Sequence, residues 1–411
     1  MPTHEAPNTK AAHASRTLSA KQKFALDTIR SAVALPQTDA QDRLRVLAAS
    51  AELAAPLDPA LSKKLVADGA QEELTIIENG DTPAVSIFSS GKADCSAAAD
   101  FIASVPDESV SRAEPSIVGA VTHCPQQTLD RARLLLSSAV DQHVLAAQAI
   151  QAAITASGPK TEWSQQMFDK FFGSLPKDSK AAQSQAPLFA QFYASMAEQV
   201  DKSSASTAGL KLLDWLATLD ESGTRNNAIT TATGALQTAL GPEDYGKAIS
   251  SDIVAQTMTQ VSGQNNEIEM PEEENVSVMQ ASAHRGPNAV EDLNKLPPSL
   301  RAREAAAQGF SAGQEGDHSA ANQDFDIAYS ALNDVWNDRS PKQDVSSIVE
   351  EVNEAAAHVD PISAMRRAQK LDDPAAQAIA MLAVARVVET GQETSPQPRV
   401  VTRSRQVNPS M

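Results

Sequence analysis

Residues 308–317 read QGFSAGQEGD, and within them Gly309-Phe310-Ser311-Ala312-Gly313 matches G-x-S-x-G letter for letter. In that pattern a serine hydroxyl is lifted on a strained turn between a strand and a helix, where it can attack an acyl carbon. Asp326 and His358 follow in the chain order that such a site uses. The chemistry depends on the strand. Residues 297–308, PPSLRAREAAAQ, are instead rich in Ala, Arg, Glu and Gln, which favour helix. A serine carried through such a segment is expected to be inert.

Two cysteines are the next candidates. Asp94 precedes Cys95 and His123 precedes Cys124, which suggests zinc, but neither C-x2–4-C nor H-x3–5-H spacing is present. The preferred reading is a pair of buried reduced thiols, each behaving as a small hydrophobe. A disulfide is the alternative, since cysteines 29 residues apart can meet in a helical stack. The other histidines (His4, His13, His143, His284, His318 and His358) are scattered, mostly in polar stretches. There is no P-loop, no G-x-G-x-x-G and no H-E-x-x-H, and no pair of carboxylates stands out from ordinary helix-surface charge. No catalytic, cofactor-binding or metal-ligating residue is therefore designated.

The elements that would position any such residue are helices. Of 411 residues 42% are apolar but only 4% aromatic, and the mean hydropathy is −0.29, a balance suited to many small contacts between helices. The net charge of −18 argues against nucleic acid and anionic membrane surfaces, both of which require a basic face. No stretch reaches the roughly 20 apolar residues of a membrane span. The first residues lack an apolar secretory core, so a cytoplasmic protein is expected, or an exported one if a leader has been removed.

Along the chain, residues 1–18 are small, polar and unpatterned and read as a disordered leader. Helical periodicity runs from Ser19 to about residue 262. Asp39 and the Asp58-Pro59 pair act as restart signals, and PAVSIF at 83–88 is the one segment that could be extended. Trp163, Phe168, Phe171, Phe172, Phe189, Phe192 and Tyr193 gather in 31 residues at helical spacing and mark the best-packed core. Residues 263–297 carry five glutamates within GQNNEIEMPEEENVSVMQASAHRGPNA and read as an acidic linker. A second helical domain covers 298–390, and a mildly basic tail with Arg399, Arg403 and Arg405 covers 391–411.

A further pattern surrounds Ser311. Gly309, then Gly316-Asp317, then Ala321, Phe325 and Ala328 have the spacing of two antiparallel helices that cross at a small residue. From about Ala302 to Val335 this resembles the tetratricopeptide repeat, with Ala305, Gln308, Ala312 and Asn333 departing from its preferred residues. Residues 360–388 form another hairpin, with Asp360-Pro361 and Asp373-Pro374 as paired starts. There Ile362, Met365 and Ala368 are expected inward, Arg366, Arg367 and Lys370 outward, and the second helix sandwiched. Residues 29–54 echo this hairpin. The expected fold is all-α, a stack of antiparallel helical hairpins of α-solenoid or tetratricopeptide-like type with disordered termini and linker. The expected function is non-enzymatic binding of a protein or peptide partner with a basic contacting segment. The alternative is an enzyme on an all-α scaffold whose site forms no sequence motif.

Overall fold

The computed structural model describes residues 18–90, 94–176, 179–248, 293–338 and 345–391. All but the last residue of the expected leader, residues 249–262 of the first helical domain, most of the acidic linker and nearly all of the tail lie outside these residues. Among the described residues the fold is all-α. The helices are α1 (Ala20–Ala34), α2 (Ala40–Ala54), α3 (Pro59–Glu78), α4 (Cys95–Ser104), α5 (Val110–His123), α6 (Pro125–Asp141), α7 (Ala147–Ser157), α8 (Glu162–Gly173) and α9 (Ser179–Met196). They continue as α10 (Lys202–Ala217), α11 (Gly223–Leu240), α12 (Pro242–Ala248), α13 (Pro298–Gln314), α14 (His318–Asp338), α15 (Ser346–Val359), α16 (Pro361–Ala368) and α17 (Pro374–Thr390).

The starts follow from side chains that satisfy the free amides of a first turn. Ser19 and Gln22 form a reciprocal capping box on α1, and Asp39 accepts from the amides of Gln41 and Asp42 on α2. Asp360 and Asp373 each accept from two amides, with a proline at the following position whose missing N–H costs nothing there.

The chain divides into two compact units. One comprises α2 through α12. Its centre is the aromatic cluster of α8 and α9, where Phe168, Phe171, Phe172, Phe189, Phe192 and Tyr193 are fully or almost fully buried. The Tyr193 hydroxyl donates to the Ala205 carbonyl of α10 at 2.8 Å, so this core also satisfies its one polar tip. Trp163 is at the margin, half-buried, with its indole N–H on Ser137 and the Arg133 guanidinium 5.5 Å above its ring.

The other unit comprises α1 and α13 through α17. Helix α17 is apolar almost all round, with Ala375, Ala376 and every residue from Ala378 to Ala385 buried. Such a helix must be covered on more than one side. Helices α15 and α16 cover part of it, and α1 packs along it with Ala25, Leu26, Ile29 and Ala32 buried. Helix α1 thus sits with the C-terminal helices, whereas the sequence places it at the head of a domain spanning 19–262. The stretch 29–54, expected as one hairpin, is shared between the two units for the same reason.

Helices α13 and α14 form the antiparallel hairpin expected over 302–335. The turn uses Gly316 at φ +84°, a left-handed conformation that suits glycine, and Asp317 then accepts from the Ala320 amide at 2.9 Å. A Cβ on Gly309 would lie 3.2 Å from the Phe325 ring, so the absence of a side chain lets the two helices approach closely. One inward expectation is corrected: Ile362 is 65% exposed, while Ala364, Met365 and Ala368 form the buried face of α16. Ile362 lies in the first turn of an eight-residue helix, outside that face.

Candidate functional site

Ser311 lies inside α13, and the residues before it, from Pro298, are helical rather than a strand. Asp326 is bound to Arg367 Nε at 2.8 Å, and the His358 ring stands edge-on to Phe310 at 6.4 Å. The three residues of the apparent triad thus have other structural roles. Ser311→Ala should change stability by no more than roughly 0.5 kcal/mol, as a half-buried substitution away from caps and networks does. A fluorophosphonate probe should label neither form. Labelling of the wild type alone would restore the catalytic reading.

Chemistry of a different kind lies in the unit built from α2 to α12, where residues Asn79–Ser90 cross from α3 towards α4 as a strap of turns and bends. PAVSIF is part of this strap and forms no strand, because its backbone amides bond to side chains rather than to a neighbouring chain. The Ile87 amide donates to Glu73 Oε1 at 2.9 Å, and the Phe88 amide to Ser86 Oγ at 3.1 Å. Near the start of the strap, Gln41 of α2 donates to the Thr82 carbonyl at 3.0 Å and accepts from the Ala84 amide at 2.8 Å.

Two glycines seat the strap. A Cβ on Gly69 of α3 would come within 2.6 Å of Ile87 Cδ1, and one on Gly119 of α5 within 2.7 Å of the Phe88 carbonyl oxygen. Glycine inside a helix weakens it by about 0.5–1 kcal/mol, and here that cost gives room for close packing of the strap. Ile87 and Phe88 are buried as a result.

Glu73 lies beneath the strap, 0% exposed. Its Oε1 accepts a second hydrogen bond, from Ser116 Oγ of α5 at 2.9 Å, while Oε2 has no hydrogen-bond partner. Burial pushes its carboxyl up to about 8. The Ile87 amide and the Ser116 hydroxyl oppose that shift, and the Ser86 hydroxyl opposes it more weakly. Glu73 is therefore a carboxylic acid at neutral pH and can exchange a proton there. Glu114, two residues before Ser116 on α5, is also raised by burial, but it accepts the Gln148 and Ala149 amides at the start of α7 and acts as a helix cap.

At the far end of the strap, His123 Nε2 donates to the Ser89 carbonyl at 3.2 Å, and Cys95 is joined to Cys124. The preferred expectation of two reduced thiols is thus corrected. Cys95 begins α4, Cys124 links α5 to α6, and α4 packs on α6, which brings the two Cα atoms to 5.2 Å, within disulfide range.

Comparison with protein-family models, curated proteins and solved structures finds no significant match.

Glu73 belongs to no sequence motif. A signal was present, however: Leu65, Val66, Gly69, Glu73, Ile76 and Ile77 share one helical stripe, so Glu73 occupies an apolar position. Its neighbour Glu72 is half-buried and pairs with Arg43 at 3.1 Å.

Proposed function

We propose that this chain is a non-catalytic helical scaffold that holds a protein or peptide partner on the faces of its stacked hairpins. The observation that carries this reading is the packing of α13 on α14 and α15, and of α17 on α15, α16 and α1, around shared buried faces. Stacks of this kind leave extended faces free for a partner, as tetratricopeptide-like arrays do. Four cross-helix pairings, Arg301–Asp334, Arg303–Glu351, Arg367–Asp326 and Arg386 with Glu350 and Glu354, link neighbouring helices of this unit. The surplus of acidic residues favours a partner segment rich in Lys and Arg.

The Cys95–Cys124 link supports placing the working protein in an oxidising compartment, where disulfides persist, rather than in the cytoplasm. No helix among the described residues is long and apolar enough to cross a membrane.

Probing the full chain against an array of basic peptides tests the reading. Binding is expected, with affinity falling roughly tenfold or more between about 0.05 and 0.5 M salt. An array without binders, or binding that ignores salt, overturns it.

A further inference from the structure

We propose that Glu73 is a proton-operated catch: protonated, it holds the strap Asn79–Ser90 closed over α3 and α5, and on losing its proton it lets the strap lift. The geometry sets this up in three ways. The carboxyl is wholly buried, and the strap contributes to that burial. It grips the strap by a direct bond to the Ile87 amide. Its second oxygen has no hydrogen-bond partner, so a negative charge would rest on the Ile87 amide, the Ser116 hydroxyl and, more weakly, the Ser86 hydroxyl, which do not offset its burial.

The charged groups on the surrounding elements do not supply compensation. On α5, Arg112 donates to Ser109, Glu114 accepts the α7 amides, and His123 donates to Ser89. On α2, Arg43 pairs with Glu72 and Arg45 with Asp42. On α3 itself Lys63 lies 4.0 Å from Asp94, and Asp81 of the strap is exposed. Among the described residues no ion pair to Glu73 is found.

The sign of the effect follows from where the proton is held. With the strap closed, the carboxyl titrates at about 8 instead of its ordinary 4.5. With the strap open, water reaches it and the ordinary value returns. Between these limits the closed form holds one proton more than the open form. The closed form is therefore fully favoured below the ordinary carboxylate range. The opening constant rises about tenfold per pH unit as pH climbs towards 8, on the order of a thousandfold in all, and then levels off. Opening uncovers Ile87, Phe88 and their glycine-lined seats. The strap remains attached through α3 at one end and, beyond its other end, through Cys95 to Cys124.

Hydrogen exchange of the Ile87 amide in the full chain tests the proposal, with rates corrected for intrinsic pH dependence. In the wild type, protection should fall about tenfold per pH unit between roughly pH 5.5 and 8, and in Glu73→Gln, which keeps an acceptor but cannot ionise, it should stay flat. The infrared carbonyl band of a protonated carboxylic acid should lose a one-carboxyl component between about pH 6 and pH 9, and that component should be missing from Glu73→Gln at both. The wild-type profile and this band decide the matter even if the variant folds poorly. Protection independent of pH in the wild type, an equal fall in both proteins, or a carboxylate already ionised at pH 6 overturns the proposal.

Discussion

Replacing Phe171 with alanine should lower the stability of the unit formed by α2 to α12 by about 3–5 kcal/mol, the range for deleting a buried phenylalanine. The ring is 0% exposed, and its centroid lies 4.0 Å from that of Phe192, 4.9 Å from that of Phe189 and 5.7 Å from that of Phe172. Removing it leaves a cavity that the flanking rings cannot fill, because each is held by its own neighbours. Phe172 also meets Tyr193 edge-on at 5.7 Å, and Phe189 meets Trp215 at 5.5 Å. Tyr193 is fixed in turn by its bond to Ala205 and by Gly209, which has no side chain where the phenol ring passes. Phe171→Leu should cost clearly less, since most of the volume remains. Trp163 and Trp215 belong to this unit and Trp336 to the other. Urea unfolding followed by fluorescence in a Trp336→Phe background therefore reports on the affected unit alone. A loss below about 1 kcal/mol would mean that the cluster is loosely packed and that Phe171 is not its centre.

The aromatic core was legible because its signal is local and redundant: seven large rings within two helical segments, spaced so that they share faces. The helix starts were legible for a similar reason. Ser19, Asp39, Asp360 and Asp373 cap by bonding amides two or three residues away, so the sequence holds both partners side by side. Ser311 could be assigned to a helix from PPSLRAREAAAQ alone, since a nucleophile elbow requires a strand there.

Periodicity fails at the choice of partner. The apolar stripe of α1 shows that Leu26 and Ile29 face something, and the same statement holds for Leu44 and Leu47 of α2. Only the need of α17 for cover on a further side decides that α1 packs there, and that need arises about 350 residues downstream. Glu73 was hidden by chemistry rather than distance. In GAQEELTII its charge reads as surface, and Glu72 beside it, half-buried, keeps its charge by pairing with Arg43. What buries Glu73 is a strap whose course is set by Gly69 and Gly119. Nothing in the local sequence distinguishes those glycines from ones that merely end helices.

Loss of the Cys95–Cys124 bond should cost the same unit about 3–4 kcal/mol, through the freedom that 29 intervening steps of chain regain when unfolded. The effect should be confined to that unit, because both cysteines lie within it and the other unit has none. Cys95→Ala with Cys124→Ala is the cleaner variant, since Cys124 is buried and a serine hydroxyl there would need a partner. Urea unfolding of the oxidised protein, the reduced protein and the double variant should give one shifted transition and one unchanged. The slope of the shifted transition should steepen, because an uncrosslinked chain exposes more surface on unfolding. Coincident curves with and without reductant would show that the link adds nothing to the fold. Two free thiols in protein isolated without reductant would remove the argument for an oxidising compartment as well. The bond also bears on the strap. It ties the start of α4 to the α5–α6 junction, so reduction frees the strap's distal anchor but leaves Glu73, Gly69 and Gly119 in place. Ile87 protection should then fall at every pH while keeping its slope against pH, which separates the anchor from the catch.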